Sequence, residues 1–243
     1  MSQTKSKTAG LTSVLGIAVL VFAVSTPGLG AAPVPAKDPV KEIRKVEDAI
    51  RVLKEMTGEA DKSIPVDLVE DCAGIAILPD VIKAAFIIGG RHGKGVLMLR
   101  GENGLWSNPV FIDLKAGSAG WQAGVQSTDL ILVFKTPRSI ENITRGKFTL
   151  GADVGIAAGP LGRSAEASTD TELKAEIYSY ARSRGLYAGL SFQGASIQID
   201  DKANANFYGT KGIEPDRILA EKDLPSPEIA AKLRKALADF QKD

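Results

Sequence analysis

"GLYAGLSFQGASIQID", residues 185–200, alternates like a strand but changes step part-way. Leu186, Ala188, Leu190 and Phe192 are apolar at even positions, whereas Ala195, Ile197 and Ile199 are apolar at odd ones. Side chains on a strand alternate faces with a period of two, so one face of a regular strand cannot hold both sets. The stretch predicts that 186–193 and 195–200 form one bent strand, or two nearly continuous ones, with a bulge at Gln193-Gly194, which returns Phe192 and Ile197 to the same core. Glycine inside a strand permits bulges, coiling or close backbone approach, and small curved barrels need such positions.

The surrounding sequence has the same character. Residues 73–212 hold 20 of the 25 glycines and many short β-type runs. "AGIAIL" (73–78) and "AAFIIGG" (84–90) are apolar on both faces, and "GVLMLR" (95–100) follows a "GRHGKG" turn. Asn103-Gly104 is a two-residue hairpin signal. "PVFIDLKAG" (109–117) alternates, and "DLILVF" (129–134) reads as a buried strand. "GKFTLGADVGIAAG" (146–159) keeps Phe148, Leu150, Ala152, Val154, Ile156 and Ala158 on one face, and "ELKAEIYSYA" (172–181) alternates as well. Short strands with closely spaced turns, and no strand–helix alternation, predict an antiparallel sheet. The expected class is α+β and β-dominated: a curved, Gly-rich antiparallel sheet or barrel-like sandwich with helices at its N- and C-terminal ends.

Those helices are legible. Asp38 caps and Pro39 opens a helix whose apolar positions are Val40, Ile43, Val46, Ile50, Leu53 and Met56, with Gly58 beyond it. Its polar face mixes both signs, as on a helix packed against a core rather than on a membrane. A short helix about 65–71 leads into the first strand. After Pro215 come a short turn of helix and a last helix with the stripe Ile229, Leu233, Ala236, Leu237 and Phe240.

Residues 1–32 read as a signal peptide: Lys5 and Lys7, then the apolar run "LTSVLGIAVLVFAV" (11–24), then small residues to Ala32. The run is shorter than the roughly 20 residues of a spanning helix. Residues 33–37 are a linker, and 38–243 form one domain with a helical lead-in (38–72), a β core (73–212) and a helical tail (213–243). Lys5 and Lys7 account for two of the 30 bases, so the remainder carries 28 against 29 acids. A near-neutral domain is not expected to bind nucleic acid. Cys72 is the only cysteine, so no internal disulfide forms. The expected location is exported, periplasmic or envelope-associated, or secreted.

Motifs for chemistry fail one by one. His92 is the only histidine, and Cys72 runs straight into an apolar strand. Gly93-Lys94 is followed by Gly95 where a P-loop needs Ser or Thr. Ser118 and Ser191 each lack a glycine of the nucleophile elbow. One His and one Cys leave no zinc set. No catalytic residue, metal or cofactor is assigned, and the chain reads as non-enzymatic. Basic residues at expected turns are the remaining candidates: Arg91, His92 and Lys94 in one hairpin, Arg163 after "GPLG", and Arg182 and Arg184 at another turn. Gathered at one end of a barrel, they would meet anionic headgroups.

"CAGIAILPDVIKAAFIIGGRHGKGVL", "NGLWSNPVFIDL", "GSAGWQAG", "LGADVGIAAGPLG" and "YARSRGLYAGLSFQGASIQIDDKANANFYG" together resemble the SYLF domain, in order from about Val66 to Gly209. The resemblance implies a lipid-binding module with no catalytic residues to carry over. Its cytosolic eukaryotic members bind phosphoinositides and often carry an SH3 domain linked to actin and membrane traffic. The signal peptide and the mixed-charge first helix resemble instead an exported bacterial branch. The implied partner is then an anionic phospholipid membrane surface, with Arg91, His92, Lys94, Arg163, Arg182 and Arg184 as headgroup contacts. Actin is not expected for an exported chain, and envelope proteins are possible partners. Two other classes stay open: a structural or protein-interaction domain of the bacterial envelope, and an unrecognised enzyme.

Overall fold

A computed structural model of the chain describes residues 39–57, 64–86, 88–119, 124–146, 148–160, 175–183, 186–187, 192–220 and 224–240. The signal-peptide and linker readings, and Arg163 and Arg184, lie outside the described residues, which belong to one compact unit.

The chain opens with α1 (Val40–Thr57) and the short α2 (Val66–Glu70). Four long strands follow: β1 (Gly74–Phe86), β2 (Ile88–Leu99), β3 (Val110–Ala119) and β4 (Gly124–Phe134). Next come α3 (Pro137–Thr144), β5 (Phe148–Thr149), β6 (Ile156–Ala158), β7 (Ile177–Ser183), β8 (Leu186–Tyr187) and β9 (Ser196–Ile199). The chain closes with α4 (Asp201–Tyr208), α5 (Pro215–Ala220) and α6 (Glu228–Phe240). The strands form one sheet in the order β5-β9-β3-β2-β1-β4-β7-β6, with β8 beside β7. Every pairing is antiparallel except β6–β7. The fold is therefore α+β and sheet-rich, as the sequence predicts.

Chain length forces the sheet to curl. β5 and β6 end the strand order on opposite sides, so a flat sheet would separate them by about 33 Å at about 4.8 Å per strand. Thr149 and Ile156 are seven residues apart, and that much chain spans at most about 25 Å. The curl gives the sheet an outer face and an inner one. On the outer face Ile75, Ile77, Val96, Met98, Ile131 and Val133 share one core with α1, α4 and α6, α1 lying on β1 and β2, α4 on β3, and α6 against α1. On the inner face Leu78, Leu97, Ile112, Leu114, Leu130, Phe134 and Phe148 form a second core, into which α3 sends Ile140 and Ile143. Both faces of β1 and β4 are thus covered, which is why their sequences are continuously apolar.

Three expectations are corrected. The stretch 185–200 is not one bulged strand: β8 lies beside β7, while β9 pairs with β3 and β5 on the other side of the sheet. Residues 192–195 make a tight turn, in which the Ala195 N–H donates to the Phe192 carbonyl and Gly194 has φ 79°. That left-handed φ suits glycine at the third turn position. Phe192 and Ile197 do share the inner core, through the turn rather than through a bulge. Residues 146–159 are likewise two short strands on opposite edges, broken by a turn at 151–153. "GRHGKG" is not a turn but the middle of β2.

The sheet does carry a one-residue bulge, in β1. Leu78 and Val81 face Leu130 and Thr128 of β4, so three steps oppose two. The extra residue lies at Pro79-Asp80, and Asp80 has φ 53°. Proline inside a strand is confined to such irregularities.

Candidate functional site

The bulge decides which residues of the β1–β2 hairpin point inward. Before it, Ala76 and Leu78 face the inner core; after it, Val81 does. Lys83 then follows on the inner face, directly opposite Arg91 of β2 and Gln126 of β4. Val81, Lys83, Arg91, Gln126, Thr128 and Phe192 line a notch of about 10 Å³ at the open end of the curl, room for one water-sized group. The Arg91 guanidinium lies 5.2 Å from the centre of the Phe192 ring, a cation–π contact that sets its direction. Lys83 has no hydrogen-bond or ion-pair partner among the described residues. Below them the Ser183 hydroxyl lies 2.6 Å from that of Thr128, accepts from Gln126 Nε2 and donates to the Ser127 carbonyl.

Like charges directly opposite on one sheet face repel. Lys83 and Arg91 make this end of the inner face a focus of positive potential. On the outer face of the same end, Ile82 is 41% and Val125 72% exposed. Both are among the few large apolar side chains left in solvent among the described residues. Cations and apolar tips thus emerge together where the helices no longer cover the sheet.

The other basic candidates are placed differently. His92 lies on the outer face with Nε2 2.7 Å from Asp113 Oδ1, and Lys115 Nζ lies 2.9 Å from Asp113 Oδ2. Burial raises the Asp113 pKa, but the Lys115 hydrogen bond and the charges of His92, Lys115 and Lys94 outweigh it and hold the carboxyl below its usual value. Lys94 Nζ lies 2.5 Å from Asp200 Oδ2, a bond that raises the ammonium pKa. Arg182 is bonded to Glu55 through both the carboxylate and the backbone carbonyl, so it clamps α1 to the sheet. Of the six candidates, Arg91 stands at the apolar-tipped end beside Lys83, with His92 on the opposite face of the same strand. Lys94 and Arg182 are engaged in ion pairs.

Lys83 was missed. Its signal is a lone charge in "VIKAAF", an otherwise apolar run. Without the bulge its face cannot be assigned.

Cys72 is buried, and its thiol donates to the Val69 carbonyl at 3.1 Å. Burial pushes its pKa up to about 12, so the thiolate nucleophile is disfavoured. Among the described residues, no three His, Cys, Asp or Glu side chains are grouped to hold a metal ion, and no helix is long and apolar enough to cross a membrane.

A family model described as Ysc84, Las17-binding protein actin regulator, matches residues 115–240. LAS seventeen-binding protein 3 of Saccharomyces cerevisiae is 36% identical over 173 residues, which cover 70% of this chain and 37% of that protein. SH3 domain-containing YSC84-like protein 1 of Homo sapiens is 33% identical over 202 residues, 82% of this chain and 58% of that protein. Protein YSC84 of Saccharomyces cerevisiae is 39% identical over 153 residues, 62% of this chain and 32% of that protein. The chain therefore spans from about a third to three-fifths of the length of these relatives.

Proposed function

This chain belongs to the Ysc84 (SYLF) family, and on that premise we propose that it is a non-catalytic protein that associates peripherally with anionic phospholipid surfaces of the cell envelope, through the open end of its sheet. One observation carries the reading: Lys83 and Arg91 share the inner face at the end where Ile82 and Val125 stand exposed. A domain with balanced charge gains nothing from net charge, so the attraction is local. Each cation near an anionic surface contributes roughly 1 kcal/mol. Burying one tip such as Val125 adds about 1.5–3 kcal/mol. The sum corresponds to a Kd on the order of a millimolar or somewhat below, weak enough for reversible contact. The envelope location rests on the signal-peptide reading of residues 1–32. The buried thiol of Cys72 and the outward placement of His92 favour a non-catalytic role.

Vesicle co-sedimentation tests this reading. The protein is expected to pellet with phosphatidylglycerol vesicles more than with phosphatidylcholine, and less as salt rises, because screening shortens to about 8 Å at 0.15 M. Lys83→Glu/Arg91→Glu and, separately, Val125→Asp should each reduce pelleting. Equal binding to both lipids, or an unchanged double variant, rejects the mechanism. No binding to either favours the second reading, a protein-docking domain, which the similarity to LAS seventeen-binding protein 3 supports.

A further inference from the structure

A second feature lies away from the open end of the sheet. The loop joining β2 to β3 and the helix α6 enclose a cavity of about 300 Å³, lined by Gly104, Leu105, Trp106, Asn108, Arg234, Lys235 and Ala238. That volume is the lower end of what binding pockets offer, and it matches one or two peptide side chains. We propose that this groove is a docking site for a partner peptide that presents an apolar anchor flanked by acidic residues.

The groove is preformed. The Gly101 N–H donates to the Leu105 carbonyl and the Leu105 N–H to Asn103 Oδ1. The Ser107 N–H donates to the Leu99 carbonyl, while Ser107 Oγ accepts from the Leu99 N–H at 2.9 Å. Arg234 donates to Asn108 Oδ1, joining α6 to the loop. So braced, the loop holds Leu105 56% exposed at the rim and Trp106 only 4% exposed in the wall. A large apolar side chain fixed in solvent beside a buried indole suits an apolar anchor.

Charge selects the flanks of that anchor. Arg234 and Lys235 come from α6, and Arg100, the cross-strand partner of Trp106, lies beside Gly104. Lys235 is paired with Asp239 at 2.5 Å. Neither Arg100 nor Arg234 has a carboxylate partner among the described residues. Two donors beside the groove, the Trp106 indole N–H and Arg100 Nε, are buried with no acceptor among the described residues. Buried donors are seldom left unmatched. A peptide with acidic flanks supplies carboxylates for the guanidinium groups. A purely hydrocarbon occupant supplies none.

Trp106 reports on its own site. The chain has two tryptophans, Trp106 and Trp121, so Trp121→Phe leaves a single indole. The probes are N-acetylated pentapeptides of sequence Asp-Leu-Asp-Phe-Asp and Lys-Leu-Lys-Phe-Lys, titrated into the ¹⁵N-labelled protein. The acidic peptide is expected to move the Trp106 Nε1–H and Arg100 Nε–H resonances saturably, with a Kd at least about tenfold below that of the basic one. Arg234→Glu should weaken the acidic peptide by a similar factor. Lys235→Glu, on the exposed side of α6, checks the same charge dependence without touching the Asn108 bond. Equal affinity for the two peptides, or shifts confined to residues away from the groove, overturns the proposal. So does movement of these resonances by phosphatidylglycerol vesicles but not by the acidic peptide, since the groove would then read lipid. Because Lys83 and Arg91 take no part here, failure of this test leaves the vesicle result standing, and the reverse.

Discussion

Gly95 sits opposite the β1 bulge, where strand spacing leaves no room for a side chain. A Cβ there would lie 2.2 Å from the Ile77 carbonyl oxygen and 2.8 Å from the Leu78 Cα, both backbone atoms that cannot rotate away. The glycines of "GRHGKG" are therefore residues of close approach within β2. In sequence they are indistinguishable from turn glycines, because both uses select the absence of a Cβ. That ambiguity turned a strand interior into an expected turn and placed Arg91, His92 and Lys94 at a hairpin tip. The bulge itself was legible in principle, since Pro79 interrupts an apolar strand that would otherwise be central. Gly95→Ala is expected to destabilise the fold by about 1–3 kcal/mol, the usual range for overpacking. Urea denaturation checks this. An unchanged midpoint would mean that β1 and β2 are not held this closely.

At the scale of elements, the long terminal helices with clean stripes were readable, and the short helices α3 and α4 were not. α1 buries Val46, Ala49, Val52, Leu53 and Met56, and α6 buries Ala230, Leu233 and Leu237, close to the stripes seen in sequence. α3 and α4 were absorbed into the expected β core, although both carry start signals. Pro137 stands in the first turn of α3, and Asp200 caps α4 by accepting from the Ala203 N–H at 3.0 Å. α4 docks by hydrogen bonds that no periodicity displays. Asn204 is fully buried; its Oδ1 accepts from the Phe111 N–H at 2.8 Å, while the Asp200 N–H donates to the Phe111 carbonyl at 2.9 Å. The side chain thus continues the β3–β9 ladder beyond the end of β9. Asn204→Ala leaves a buried N–H without an acceptor, which costs about 1–3 kcal/mol. The expected result is a lower thermal midpoint together with faster hydrogen exchange at the Phe111 amide. A midpoint loss with normal Phe111 protection would assign the effect to packing instead.

For the whole molecule, curvature was legible as a density of glycines, but not the route by which the chain crosses between the two edges. That route depends on how few residues separate β5 from β6, a constraint that appears only once pairing partners are known. The layers are then tied together by charge. Arg51 and Arg182 hold Asp48, Glu55, Asp80 and Asp129 where the C-terminal turns of α1 meet the bulge. Burial pushes the Asp129 pKa up, and the Asp80 N–H and the Arg51 charge only partly offset it. Asp113, on the outer face of β3, is shifted the other way. The two carboxylates therefore act on stability with opposite sign. Asp113 binds its proton less readily folded than unfolded, so its contribution is present above the ordinary value of 3.8 and is lost as pH falls through its lowered folded value. Asp129 binds its proton more readily folded, so its contribution is present below 3.8 and is lost as pH rises through its raised folded value. At neutral pH, ionised Asp129 costs stability, whereas ionised Asp113 contributes it. Asp129→Asn keeps an oxygen to accept from the Asp80 N–H and leaves Arg51 three other carboxylates, so it should raise the thermal midpoint at pH 7. Asp113→Asn should lower it. Both differences should shrink toward zero on acidification, once the wild-type carboxyls are themselves protonated. Calorimetry from pH 3 to pH 7 decides the matter: shifts of the same sign for both variants at neutral pH would show that these two carboxylates do not oppose each other.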